Sequence, residues 1–123
     1  MKTSNSMPKK LTTRDCSSVQ EHRVANKLDG RVNSNSGAGR FAKSDVRVDS
    51  ASLSIECKTT MTSKDSFSIK KEWIEKHKQE AWSNRLANSV IAFNFDYKDA
   101  HDYYVIDDVL MKFLVEKLRE EYK

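Results

Sequence analysis

The chain is short of the residues that break and staple polypeptides: one proline, three glycines and two cysteines among 123 residues. Two cysteines, Cys16 and Cys57, do not make a disulfide framework. Cys57 falls in the middle of a strand-like run, where a thiol packs, so a reducing, cytoplasmic setting is expected. No apolar run approaches the roughly 20 residues of a membrane span. The opening MKTSNSMPKK lacks the apolar core of a secretory signal, so no membrane partner is expected. There is no Walker loop and no dinucleotide fingerprint, which excludes a nucleotide cofactor from the expectations. No Cys/His spacing suggests zinc, and no internal repeat or low-complexity domain is visible.

What is present is a polar but globular composition, 37% hydrophobic and 33% charged, in a length that fits one domain. The net charge of +4 is unevenly spread. Through Val48 there are ten Lys and Arg against four Asp and Glu, and beyond it twelve against fourteen. A basic front half suits a polyanionic partner.

Residues 1–15, with Pro8 and the Lys9–Lys10 pair, read as a flexible basic arm ahead of a single domain at 16–123. A helix is expected from about Ser18 to Leu28, with Val19, Val24, Ala25 and Leu28 as its apolar face and Asp29–Gly30 as its stop. A short strand, RVNS, leads into NSGAGRFAKS, a loop of small and basic residues. DVRVD and LSIECKTT form a hairpin turning near Ser50–Ala51. SFSI is a possible further short strand. Lys70 to about Leu86 reads as a helix with Trp73, Ile74, His77 and Ala81 on one side. SVIAFNF and YYVID are two more strands. A closing helix from about Asp108 carries Leu110, Phe113, Leu114 and Leu118 on its inner face. The order α-β-β-β-α-β-β-α predicts an α/β (α+β) architecture, a mixed sheet flanked by helices.

The informative stretch is LSIECKTT. In a strand alternate residues share a face, so Leu53, Ile55 and Cys57 point to a core and Ser54, Glu56 and Lys58 to the opposite side. Asp45 opens the hairpin partner and can sit near Glu56. A salt-bridged strand surface is one reading of this group. Catalysis is the other: like charges placed together need neutralising, and a divalent cation does it. Hard oxygen ligands suit Mg²⁺, and Lys58 could orient or deprotonate a metal-bound water. Spacing alone is a loose signal, since Asp96-Tyr97-Lys98 also ends an apolar strand.

The succession of Glu21, the loop Asn35-Ser36-Gly37-Ala38-Gly39-Arg40, Asp45, Glu56-Cys57-Lys58, a helix and the strand SVIAFNF resembles the PD-(D/E)XK nuclease superfamily. It is most similar to the small Holliday-junction-resolvase branch known from archaea and phages. The resemblance runs from about Ser18 to Phe95; where the superfamily's name has a proline before the aspartate, this chain has Ser44. It implies a restriction-endonuclease-like fold and a Mg²⁺-dependent endonuclease, with Mn²⁺ as a substitute, working as a homodimer on branched DNA. Its catalytic residues would be Glu21, Asp45, Glu56 and Lys58, with the metal on Asp45, Glu56, the backbone carbonyl of Cys57 and Glu21.

Glu21 has a second reading, as the far end of a Ser18-x-x-Glu21 capping box. Ser36 and Arg40 are either a solvent loop or a phosphate cradle. Arg23 and Lys27, four apart on the first helix, are either a solvated face or phosphate contacts, and Lys9, Lys10, Arg14 and Lys43 join them as candidate DNA-binding cations. His77 reads as a satisfied core histidine. Trp82 and Leu86, with Tyr103, Tyr104, Phe113 and Leu114, are apolar residues left over for a dimer interface. Rival functions are a nickase or sequence-specific endonuclease of the same superfamily, and a DNA-binding protein that uses the fold without chemistry.

Overall fold

The computed structural model describes residues 10–33 and 45–123. Lys9, Ser36, Arg40 and Lys43, and the loop reading built on two of them, lie outside the described residues.

The element order is α1 (Thr13–Leu28), β1 (Arg31–Val32), β2 (Val46–Val48), a 3₁₀ turn (Asp49–Ala51), β3 (Leu53–Lys58), α2 (Lys71–Ser83), β4 (Asn88–Phe93), β5 (Tyr103–Val105) and α3 (Asp108–Glu121). This is the mixed α/β architecture expected. The strands form one five-stranded sheet in the order β1-β2-β3-β4-β5. β3 is the middle strand. It pairs antiparallel with β2 and, through the α2 crossover, parallel with β4; the outer pairings are antiparallel.

The α1 helix starts earlier than Ser18. Thr12 caps it: Thr12 Oγ1 accepts from Asp15 N at 3.1 Å, and Asp15 Oδ2 accepts from Thr12 N at 2.9 Å. This capping box is stronger than the one expected at Ser18 because it lets Cys16 and Gln20 join Val24 as a buried i, i+4 stripe. Ser18 and Glu21 therefore lie in the helix interior, and residues 13–15 form its first turn. Val19, expected on the apolar face, is exposed. At the other end Asp29 adopts the left-handed conformation, and a Cβ on Gly30 would meet the Arg47 carbonyl oxygen at 2.6 Å. The glycine is what lets the chain leave α1 directly against β2.

The core fills the α1 side of the sheet. Val24 and Ala25 pack on Val46, Val48, Ile55, Cys57, Val90 and Ala92. The α2 side takes the alternate residues: Ser54 and Ile91 are buried there with His77 and Ala81. SFSI forms no strand. It is an irregular approach to α2, with Phe67 stacked 5.3 Å from Phe93 and 6.4 Å from Trp73.

The second helix ends at Ser83, three residues before Leu86. Leu86 N donates to Ala81 O at 2.8 Å and Arg85 N to Trp82 O at 3.0 Å, the paired bonds of a Schellman turn. The turn folds Leu86 into the core at 6% exposure, which removes it from the interface candidates, while Trp82 stays 83% exposed. The α3 helix departs further from expectation. Asp107 caps it by accepting from Leu110 N at 3.0 Å, but only Leu110 packs against the core, and Phe113, Leu114 and Leu118 are exposed. Between α3 and the sheet lies an apolar groove of about 780 Å³, with Leu53, Val90, Tyr104 and Ile106 facing Leu110 and Phe113. Among the described residues no helix is long and apolar enough to cross a membrane.

Arg85 holds φ 60° in its turn, a conformation that costs a residue with a Cβ about 1 kcal/mol or more relative to glycine. Arg85→Gly is expected to stabilise the protein by about 1 kcal/mol, read from the urea midpoint at unchanged slope. A lower midpoint would show that the Arg85 side chain contributes more than its backbone costs.

Candidate functional site

The site is generated by the β2–β3 register. Val46 faces Ile55, and Asp45 N donates to Ile55 O at 3.1 Å, extending the ladder one step. Asp45 thereby lies opposite Glu56, and directly opposed residues of antiparallel strands share a face. Asp45 Oδ2 accepts from Cys57 N at 2.9 Å. Two steps along β3 from Glu56, Lys58 places its Nζ 3.6 Å from Glu56 Oε2 and 4.3 Å above the Trp73 ring.

These carboxylates are uncomfortable. Burial, and next the charge of Glu56, push Asp45 up to about 6, against the Cys57 amide that favours its charged form. Glu56 is raised by burial despite Lys58. Glu21, from the middle of α1, is pushed up to about 7 by burial and then by Asp45. Glu21, Asp45 and Glu56 thus form a chain of electrostatic neighbours with Asp45 at its centre. Glu21 makes no capping contact here, because the helix start lies elsewhere. The backbone behind the site is held by Gln20, whose Nε2 donates to Lys58 O at 3.0 Å and to Asp102 Oδ1 at 3.2 Å.

Of the expected DNA-binding cations, Arg23 is committed elsewhere. Its guanidinium makes two 2.8 Å bonds to Asp102 with side-chain exposures of 13% and 3%, a part-buried ion pair that occupies it within the fold. Lys27 donates to Ala100 O at 2.9 Å from an exposed position. Lys10 is exposed. Arg14, in the first turn of α1, is exposed and close enough to Glu21 for its charge to lower that carboxyl's pKa, so it borders the acidic patch.

Two residues of the site escaped the sequence reading, His77 and Glu80. His77 is buried as expected, but it is more than a core histidine. Its Nε2 lies 3.0 Å from Ser54 O, and its Nδ1 faces Glu80 Oε1 at 3.4 Å and Glu56 Oε1 at 3.8 Å. The ligand atoms of Glu56, His77 and Glu80 all lie within 4.8 Å of one another, and the group could hold a metal ion. It is the one such group of three among the described residues. It lines a cleft of about 430 Å³ with Lys58, Glu72, Trp73 and Lys76. The available signal was His77-x-x-Glu80 on one face of a helix that follows a strand with polar alternate residues.

Comparison of the chain with family models, with curated proteins and with solved structures finds no match.

Because Glu21 and Asp45 are raised from ordinary values of 4.5 and 3.8, the folded state binds more protons than the unfolded state between those values and about 7. Stability therefore falls as pH rises through that window. Urea midpoints should decline from about pH 4 to about pH 7, and Glu21→Gln or Asp45→Asn should flatten the decline. A midpoint that rises through this window in the wild type would mean that the carboxylates are better compensated than their burial implies.

Proposed function

We propose that the chain is a divalent-metal-dependent DNA endonuclease of the PD-(D/E)XK kind, acting as a homodimer on branched duplex such as a four-way junction. The observation that carries the reading is the placement of Asp45 opposite Glu56 with Lys58 on the same face, 3.6 Å from the glutamate. Three neighbouring carboxyls with raised pKa values form a site that favours added positive charge. Their hard oxygens suit Mg²⁺, with Mn²⁺ as a substitute.

Asp45 and Glu56 would hold the ion, with the Cys57 carbonyl and Glu21 at its margin. When bound, a divalent cation acidifies its water and offsets the charge that develops on a phosphodiester. Lys58 then has a defined task. Its ammonium is anchored between the Glu56 carboxylate and the face of Trp73, a position from which it can orient the attacking water or take its proton. Exposed Arg14, whose charge acts on Glu21, and exposed Lys10 would supply phosphate contacts without reading bases. Buried free Cys16 and Cys57 support a reducing, cytoplasmic setting.

The dimer is supported by α3. Its exposed Met111, Phe113, Leu114 and Leu118 stand beside an open apolar groove, and contiguous apolar surface of this kind marks an interface. A two-fold pair presents one site per subunit, the arrangement that two symmetric cuts at a junction need.

Incubation with four-way, flapped and linear duplex DNA in Mg²⁺ or EDTA tests the activity. Cleavage should require the metal and favour the branched substrates. Asp45→Asn and Glu56→Gln should each lower it at least about 100-fold, the scale of several kcal/mol of charge stabilisation, while keeping DNA affinity. Lys58→Ala should lower turnover more than binding. Unchanged cleavage by Glu56→Gln would remove the assignment, and DNA binding without cleavage in any metal would leave a non-catalytic DNA-binding protein.

The oligomer is tested separately. Light scattering should give a dimer that Leu114→Lys splits. A strict monomer that binds linear duplex as tightly as a junction would favour a nickase.

A further inference from the structure

We propose that Glu56, His77 and Glu80 form a separate metal site on the α2 side of β3, selective for a borderline divalent transition metal such as Co²⁺ or Zn²⁺ over Mg²⁺. The proposal does not depend on the nuclease reading.

The first support is the orientation of the imidazole. His77 is 2% exposed, and its Nε2 lies 3.0 Å from a backbone carbonyl, Ser54 O. Ser54 O accepts, and Ser54 Oγ, 3.2 Å from the same nitrogen, can accept as well; with the hydrogen on Nε2 the neutral ring presents the lone pair of Nδ1. That atom faces carboxylate oxygens of Glu80 at 3.4 Å and Glu56 at 3.8 Å, which are also acceptors. In that tautomer three electron-pair donors converge, whereas a hydrogen on Nδ1 would instead bond to the carboxylates. A ring fixed through its other nitrogen by a backbone carbonyl is how metal-bound histidines are oriented.

The second support is Glu80. Its residue is 8% exposed, and the one partner shown for its carboxylate is His77 Nδ1 at 3.4 Å. A buried carboxylate is costly unless it is paired or bound to a cation. The geometry is close to what an ion needs. Two ligands about 2.1 Å from one ion and roughly 100° apart lie about 3.2 Å from each other; the two pairs that include His77 need shifts of a few tenths of an ångström, and the Glu56–Glu80 pair, within 4.8 Å, needs a side-chain rotation. Three protein ligands on a cleft that already admits solvent leave further positions open for water or a phosphate oxygen.

The donor set gives the selectivity. One imidazole with two carboxylates suits Co²⁺ and Zn²⁺, whereas Mg²⁺ prefers oxygen alone. Glu56 can serve two sites because its oxygens diverge: Oε1 faces His77 and Oε2 faces Lys58. An ion here would join β3 to α2 and place a positive charge beside Glu56.

Titration of the DNA-free full chain with Co²⁺, followed by visible absorption, tests this. One equivalent should bind with d–d bands in the visible, and Zn²⁺ should displace it. A large excess of Mg²⁺ should not. Glu80→Gln should weaken Co²⁺ at least about 10-fold. Because His77→Gln disturbs a buried bond and can unfold the chain, Glu80→Gln, with its fold checked by circular dichroism, is the deciding variant. Absence of Co²⁺ binding, or wild-type binding by folded Glu80→Gln, would overturn the proposal and leave an imidazolium held between two glutamates. Loss of DNA cleavage with intact Co²⁺ binding would overturn the nuclease reading alone.

Discussion

The trio of Asp45, Glu56 and Lys58 hangs on the hydrogen-bond register between β2 and β3. The ladder step from Asp45 N to Ile55 O sets Asp45 against Glu56. Shifting that register by one residue would send the carboxylate of Asp45 to the other face of the sheet. The register is itself held by the core, because Val46 and Val48 are buried only when they meet Ile55 and Leu53 under α1. Apolar packing on one face of β3 thus fixes charged chemistry on the other.

That chemistry is a local conflict that the fold tolerates. Glu21, Asp45 and Glu56 are all raised chiefly by burial, and each also by a neighbouring carboxylate, Asp45 for Glu21, Glu56 for Asp45 and Glu80 for Glu56. Lys58 relieves only part of this. Such groups gather where a cation is expected, since places where local rules are broken are commonly functional. The surrounding frame is correspondingly firm. Gln20 and Arg23 on α1 converge on Asp102, just ahead of β5, and Gln20 also holds the Lys58 carbonyl. One helix face therefore braces the end of the strand that carries the site and the start of the strand that closes the sheet.

The other unresolved tension is apolar. The α3 helix is well capped and regular, yet none of its residues is buried. A helix with Val109, Met111, Phe113, Leu114 and Leu118 exposed beside an open groove is not accounted for by the fold of one chain. The cleft at Glu56 and the groove at α3 share no lining residue.

The sequence by itself determined the element order and the α1-facing core of β3, because alternation along a strand is a two-residue pattern that needs no partner to be seen. It also determined the candidate trio Asp45, Glu56 and Lys58, since a hairpin brings near neighbours in sequence together. Only the tertiary structure decided the rest. Thr12 displaced Ser18 as the cap of α1 once Cys16 and Gln20 found buried surroundings. Arg23 became a structural pair when Asp102, seventy-nine residues away, reached it. Leu86 entered the core through a turn that places Arg85 in the left-handed region. His77 and Glu80 joined Glu56 because α2 packs across β3, and packing between distant elements leaves no periodic trace in either one.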